Sequence, residues 1–175
     1  RIASQYAQAL REEGWVYSRN GHPSIPAKTY EALHDWEQWA KGEPLTPTKI
    51  RNVYTFMEAQ ISMSEARDNM GLLVDGSVRW HRALGKIDLD TKNYVLNALK
   101  RKDNVRNPRI KVSTIHSMKG GEADNVLVVP DLSYAAHREY QTNPATEHRV
   151  YYVAVTRTKK SLHIMLPQTN RSYSL

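Results

Sequence analysis

The last third of the chain carries the pattern that most restricts its fold. Three short segments rich in β-branched or apolar residues are typical of strands, and they are residues 110–115, 125–129 and 162–166. Asn143 and Pro144, between the second and third segments, supply a cap and a first position for a helix that we expect to extend to about Thr158. This order of elements predicts an α/β fold with a parallel sheet, in which the continuous apolar run 125–129 is buried on both faces.

The earlier part of the chain is mostly helical in pattern. Residues 1–13 predict a helix that Gly14 ends, residues 15–18 predict a short strand, and residues 27–41 predict a second helix. The helices and the strand together predict that this part packs as folded structure and is not a linker.

A third helix has the clearest start in the chain. Thr46 can cap it and Pro47 suits its first position, so we expect a helix directly after this pair. The pattern stays helical over residues 62–102, with a further helix over residues 90–99. Glycines mark the expected breaks, near Gly71, Gly76 and Gly85.

The change of pattern near residue 108 suggests a division into two parts. We expect residues 1–42 and 109–175 to form one α/β domain, and residues 43–108 to form an inserted helical subdomain. The chain opens on Arg1 and not on methionine, and we infer that it is a piece of a longer protein.

Composition limits the chemistry. The 175 residues include no cysteine, which excludes disulfides, thiolate metal sites and a cysteine nucleophile, and no apolar run is long enough to span a bilayer. The seven histidines have no metal-ligand spacing, and the motifs GxxxxGKS/T, GxGxxG, HExxH and GxSxG are missing. Metal catalysis by this segment alone is therefore not expected.

The charge balance favours a polyanionic partner. Lysine and arginine number 25 against 18 acidic residues, a formal charge of +7, although a solvated basic surface explains this equally well. The basic residues of segment 100–111 are read first as a solvated loop and second as a nucleic-acid contact. The four tryptophans are Trp15, Trp36, Trp39 and Trp80, and their rings could stack on bases. Three of the four lie at expected core positions, which favours burial.

A polar loop at residues 114–122 follows a predicted strand and precedes the apolar run. Open α/β sheets bind ligands at the carboxyl ends of parallel strands, where we expect this loop. Its threonine, serine and histidine offer hydrogen-bonding groups, Lys119 adds charge, and Gly120 and Gly121 permit close approach of the backbone to a ligand.

A helix further on projects Arg157 at its end. An arginine at such a place suits a transferring phosphoryl group, because its planar guanidinium is always charged and grips phosphate oxygens in two places. The alternative is an arginine that forms a salt bridge at the helix C-terminus.

Together, residues 114–122 and 150–158 resemble motifs V and VI of superfamily-one helicases of the UvrD/Rep kind. The first segment contains TxHxxKGxE and the second contains YVAxTR, in the order of that family and joined by a predicted buried strand. The resemblance covers residues 110–166, about a third of the chain. It implies the second RecA-like domain of an ATP-driven DNA translocase, with a P-loop-NTPase-type parallel sheet that itself lacks the phosphate loop.

The resemblance also implies ligands and roles. ATP with Mg²⁺ would be bound mainly by an N-terminal RecA-like domain of the same polypeptide, and single-stranded DNA or a single-strand/duplex junction would be the other partner. Arg157 would be the arginine finger on the γ-phosphate, Glu122 would approach the ribose, and Gly120 would lie beside the nucleotide. Thr114, His116, Ser117 and Lys119 would form the DNA-facing set. A membrane partner is not implied, and the location would be cytoplasmic, with the bacterial or phage nucleoid.

Two departures from the family pattern accompany the resemblance. Gly121 and Ala123 stand where the family often has an apolar and an aromatic residue, and residues 43–108 are a short version of the usual helical insertion. The HSxKG sequence of residues 116–120 favours 3′→5′ polarity. A non-catalytic DNA-binding module with the same fold is the main alternative to a motor, and a nuclease–helicase fusion is a third.

Overall fold

The computed structural model describes residues 2–58, 78–118 and 120–174. The chain divides into two compact units, Ala9–Lys111 in one and Arg1–Gln8 with Val112–Leu175 in the other. The predicted glycine breaks at 71 and 76 lie outside the described residues.

The Ala9–Lys111 unit is helical with a small sheet. Its helices are α1 (Ile2–Glu12, which begins in the other unit), α2 (Ala27–Ala40), α3 (Pro47–Phe56), α4 (Trp80–Ala83) and α5 (Leu89–Lys100). Its strands are β1 (Tyr17–Arg19), β2 (His22–Pro23) and β3 (Ile110–Val112), which ends at the unit boundary, in the sheet order β2-β1-β3.

Local signals in the sequence set the helix ends of this unit. The Thr46 side chain accepts a hydrogen bond from the Lys49 N–H, with Pro47 at the first position of α3, as predicted. α1 ends before Gly14, whose φ of +72° lies in the left-handed region that glycine tolerates best. The expected helix 27–41 is α2, and the helix expected over 90–99 is α5, which Asp88 caps through the Thr91 N–H.

Three of the four tryptophans pack in the core of this unit, as expected. Trp36, Trp39 and Trp80 are buried, and the Trp36 indole N–H donates to the Val78 carbonyl at 3.1 Å. Trp15 is 42% exposed, and the Arg101 guanidinium lies 4.2 Å above its ring. Burial and not base stacking therefore accounts for three of the tryptophans.

The boundaries of the compact units differ from the predicted division at residues 42 and 109. Helices α2 and α3 lie on opposite sides of residue 42, yet they share one core and are joined by an ion pair of 3.0 Å between Asp35 and Lys49. The division into residues 1–42 with 109–175 and residues 43–108 stays a prediction about domain organisation.

The other unit contains a parallel strand pair covered by two helices. Its elements are β4 (Ala123–Val128), α6 (Tyr134–Thr142), α7 (Pro144–Val155) and β5 (Thr158–Ile164). Strand β4 pairs with β5 in parallel, with Val126 opposite Leu162 and Val128 opposite Ile164. Tyr151 of α7 packs with Val128 in the core. The chain is therefore a mixed α/β protein with a parallel sheet element, as predicted.

Three details differ from the prediction. The run 125–129 is not buried on both faces, since Leu127 is 57% exposed on the two-stranded pair. The helix expected to reach Thr158 ends at Val155, because Thr158 already begins β5. Helix α6 has no counterpart in the prediction; none of its residues is fully buried, although Ala136 and Tyr140, four residues apart, pack against the core.

Among the described residues, no helix has the length and apolarity needed to cross a membrane.

The core predicts unequal costs for two tryptophan substitutions. Trp36→Ala should lower the free energy of unfolding by about 3–5 kcal/mol, because it leaves a cavity in a packed core. Trp15→Ala, the matched control, should cost about 1 kcal/mol, because it removes an exposed ring and its cation–π contact. Urea unfolding followed by circular dichroism measures both, and equal costs would contradict the packing described.

Candidate functional site

The polar loop at 114–122 is built around a short 3₁₀ turn. The turn spans His116–Met118, and the Ser117 N–H donates to the Thr114 carbonyl at 3.1 Å and to Thr114 Oγ1 at 3.3 Å. Ser117 Oγ donates back to the Thr114 carbonyl at 2.8 Å. Thr114 therefore fixes the start of the turn as a side-chain cap does in a helix.

The side chains of this loop that were expected to bind a ligand face solvent. Thr114, His116 and Ser117 are exposed, and so is Gly120. Gly120 has a φ of +82°, so any side chain at this position would strain the backbone. Lys119 lies outside the described residues.

A backbone hydrogen bond joins the end of this loop to the end of α7. The Ala123 N–H donates to the Arg157 carbonyl at 3.0 Å, at the first step of the β4–β5 pairing. The loop follows β3 in the chain, but β3 belongs to the sheet β2-β1-β3. The expectation that the loop lies at the carboxyl end of a strand of the parallel sheet is therefore wrong, since it lies at the amino ends of the parallel strands β4 and β5. The last residue of the loop, Glu122, is thereby brought beside Arg157.

The sequence predicts that Arg157 projects from the end of its helix, but in the structure its side chain folds back onto that helix. Its Nε donates to the Val153 carbonyl at 3.1 Å, and Nη2 donates to Thr156 Oγ1 at 3.2 Å. The guanidinium is thus folded over the C-terminus of α7, where it satisfies an open carbonyl and meets the negative end of the helix dipole. Two of the five N–H donors of an arginine are engaged in this way.

The Glu122 carboxylate forms an ion pair that the sequence pattern did not identify. Lys159 Nζ lies 2.9 Å from Glu122 Oε2, and each side chain is about half exposed. The hydrogen bond and charge of Lys159 hold the pKa of Glu122 below its usual value, and Arg157 acts in the same direction. The contact also raises the pKa of Lys159. In the sequence, the position of Lys159 two residues after Arg157 is the signal that could have indicated this contact.

A second ion pair of the same kind lies next to the first. Lys160 Nζ is 2.8 Å from Asp124 Oδ2, again between an exposed lysine of β5 and an exposed acid of β4. The two pairs run across the same strand edge, one at Glu122 and one at Asp124, so Lys160 serves as a natural control for Lys159.

Helix α7 is anchored at its other end as well. Glu147, in the first turn of α7, is buried, and this burial raises its pKa; the charge of Glu139 adds to the rise and the charge of His116 opposes it. Tyr151 stacks on Tyr173 with ring centroids 4.1 Å apart. The helix that precedes Arg157 is therefore held along its length by the core of its unit.

The described residues contain no group of three or more histidine, aspartate and glutamate side chains placed to hold a metal ion.

Two segments far apart in the chain thus meet at one strand edge, with the acid of the first beside the arginine of the second. The family model of the UvrD-like helicase C-terminal domain matches residues 22–169, which is most of the chain. The chain belongs to this family. Searches of curated proteins and of solved structures return no match.

The ion pair between Glu122 and Lys159 in this UvrD-like domain predicts how the pKa of Glu122 responds to substitution of the lysine. Lys159→Met should raise the pKa of Glu122 toward the usual value of a glutamate, because both its hydrogen bond and the nearest positive charge are removed. Lys160→Met should leave that pKa unchanged, since Lys160 pairs with Asp124. Carboxyl-carbon NMR titration of the two variants measures this, and an unchanged Glu122 pKa in Lys159→Met would contradict the ion pair.

Proposed function

We propose that this chain is the second RecA-like motor domain of an ATP-dependent DNA helicase. The hydrogen bond from the Ala123 N–H to the Arg157 carbonyl carries this proposal, because it brings the acid of motif V and the arginine of motif VI to one exposed edge. A first RecA-like domain of the same polypeptide would supply the phosphate loop and hold Mg²⁺. ATP would be bound in the cleft between the two domains.

On the nucleotide side, Arg157 is the group suited to the transition state. A guanidinium on the γ-phosphate neutralises charge that develops as the phosphoryl group is transferred, and it needs no proton transfer to do so. Glu122 accepts a hydrogen bond from the ribose, and the bare backbone at Gly120 allows the nucleotide to approach. The exposure of Glu122 and Gly120 supports these roles.

To act as a finger, Arg157 exchanges one set of contacts for another. It leaves the Val153 carbonyl and Thr156 Oγ1, two hydrogen bonds from a charged donor that each contribute about 1.5–3 kcal/mol net. A bidentate contact with phosphate is stronger, because both partners are charged and two parallel N–H groups donate. The exchange is therefore favourable only when a phosphate is presented, which suits a group that acts once per cycle.

On the DNA side, the polar loop supplies the contacts. Thr114, Ser117 and Lys119 offer hydrogen bonds and charge to phosphates, and the exposed His116 ring can stack on a base. The loop ends at Glu122, so one continuous segment contacts both ligands. Closure of the two domains on ATP would then shift the DNA contacts, which is how hydrolysis is coupled to movement along the strand.

A second candidate function is a DNA-binding module without catalysis. The observation that favours it is Arg157 itself, since the guanidinium is already engaged by its own helix as a purely structural arginine is. In such a module the loop at residues 114–122 binds DNA, and the edge formed by Glu122 and Arg157 binds no nucleotide. The variants below separate the two functions.

Arg157→Ala in the full-length gene product should lower DNA-stimulated ATP hydrolysis by about 10³-fold, because an arginine finger stabilises charge in the transition state. Arg157→Lys should restore little of the rate, since an ammonium lacks the planar fork. Single-stranded DNA affinity should stay within about twofold, because Arg157 acts on the nucleotide and makes no DNA contact in this proposal.

Arg138→Ala, an exposed arginine of α6, is the matched control and should hydrolyse ATP at the normal rate. Near-normal turnover of Arg157→Ala would remove the arginine-finger role, whereas no hydrolysis by the unmodified full-length product would favour the non-catalytic module. Steady-state ATPase assays and fluorescence anisotropy with a single-stranded oligonucleotide provide the two readouts.

For the DNA side, Lys119→Ala should weaken single-stranded DNA binding by this chain and reduce the slope of log K against log salt concentration by about 0.7, the value for one phosphate contact. His116→Ala should weaken binding with little change of slope, since stacking is not ionic. Lys28→Ala, an exposed lysine of α2, is the control. Equal slopes for Lys119→Ala and the unmodified chain would contradict the proposed phosphate contact.

A further inference from the structure

One partner of the ion pair between Glu122 and Lys159 lies outside the two segments that resemble helicase motifs. Lys159 lies one residue beyond the segment 150–158 that resembles motif VI. Its Nζ nevertheless reaches the motif V acid at 2.9 Å, and Lys159 is the largest influence on the pKa of Glu122. The contact crosses from the start of β5 to the residue before β4.

The pair restrains a side chain that would otherwise be mobile. Glu122 is about half exposed, and an unpaired glutamate at such a place loses up to about 1.5–2 kcal/mol of rotamer freedom when a ligand orders it. Lys159 uses Oε2 alone. The other carboxylate oxygen, Oε1, keeps its capacity to accept a hydrogen bond from a ligand hydroxyl.

We propose that Lys159 is a positioning residue that fixes Glu122 so that its free oxygen meets a ribose hydroxyl of the bound nucleotide. This inference rests on the proposed function, in which Glu122 approaches the ribose. Lys159 does not touch the nucleotide in this account. It acts through Glu122, and its effect appears in how well the site distinguishes a ribose from a deoxyribose.

The effect belongs to recognition and not to stability. Exposed ion pairs contribute little to the folded state, because solvent screens them and ordering two long side chains costs entropy. Removing Lys159 should therefore leave the melting temperature unchanged. It should disorder the Glu122 carboxylate, and a misplaced hydrogen-bonding group loses much of its value in a binding site.

The test measures ribose discrimination in the full-length gene product, as the ratio of kcat/KM for ATP to kcat/KM for 2′-deoxy-ATP and for 3′-deoxy-ATP. Lys159→Met should reduce the larger of these ratios roughly three- to tenfold, mainly through KM for ATP, with kcat within about twofold. Lys159→Arg should restore it, because an arginine keeps the charge and the donor. Lys160→Met, which breaks the neighbouring pair with Asp124, should leave it unchanged.

Two results would overturn the inference alone. One is unchanged or increased discrimination in Lys159→Met while Glu122→Gln loses it, which would mean that Glu122 needs no partner or that Lys159 competes with the nucleotide for it. The other is an equal loss in Lys160→Met, which would point to general surface charge.

Failure of the proposed function has a different signature. Normal turnover of Arg157→Ala would contradict the proposed contact of Arg157 with ATP. Unchanged discrimination in Glu122→Gln would contradict the ribose role of Glu122 on which the inference rests. Both variants are measured beside Lys159→Met under the same conditions.

Discussion

The β4–β5 pairing is the interaction on which the site depends, beginning with the hydrogen bond from the Ala123 N–H to the Arg157 carbonyl. Parallel strands need a long crossover connection, here made by α6 and α7, and the register of the pair decides which loop residues meet. With Ala123 opposite Thr158, the preceding residue of each segment is brought to the same edge. A one-residue slip would move Lys159 to the other face and separate it from Glu122.

At the same edge, the Arg157 side chain is folded back over the end of α7. Its guanidinium closes the end of α7 through the Val153 carbonyl and Thr156 Oγ1, and its charge also lowers the pKa of Glu122. The hydrogen-bonding groups of Arg157 are thus engaged without a nucleotide, and a phosphate has to replace two hydrogen bonds. This balance allows one side chain to complete a helix in one state and, in the function we propose, to contact a phosphate in another.

Much of the fold could be predicted from the sequence because its signals are local. The start of α3 follows from Thr46 and Pro47, and the end of α1 follows from Gly14. The family could be predicted too, because its motifs are short and contiguous. The partner of Glu122 and the folded-back position of Arg157 could not, since the first depends on strand register and the second on a choice of rotamer. Side-chain contacts of this kind leave no spacing pattern to detect.

In the function we propose, this chain is one half of an ATPase site that responds to DNA. The decisive experiment compares ATP hydrolysis by the full-length gene product, with and without single-stranded DNA, with hydrolysis by this chain alone. We expect DNA-stimulated hydrolysis by the full-length product and none by this chain. The absence of hydrolysis in both, with salt-sensitive DNA binding retained, would contradict this proposal and leave a DNA-binding module.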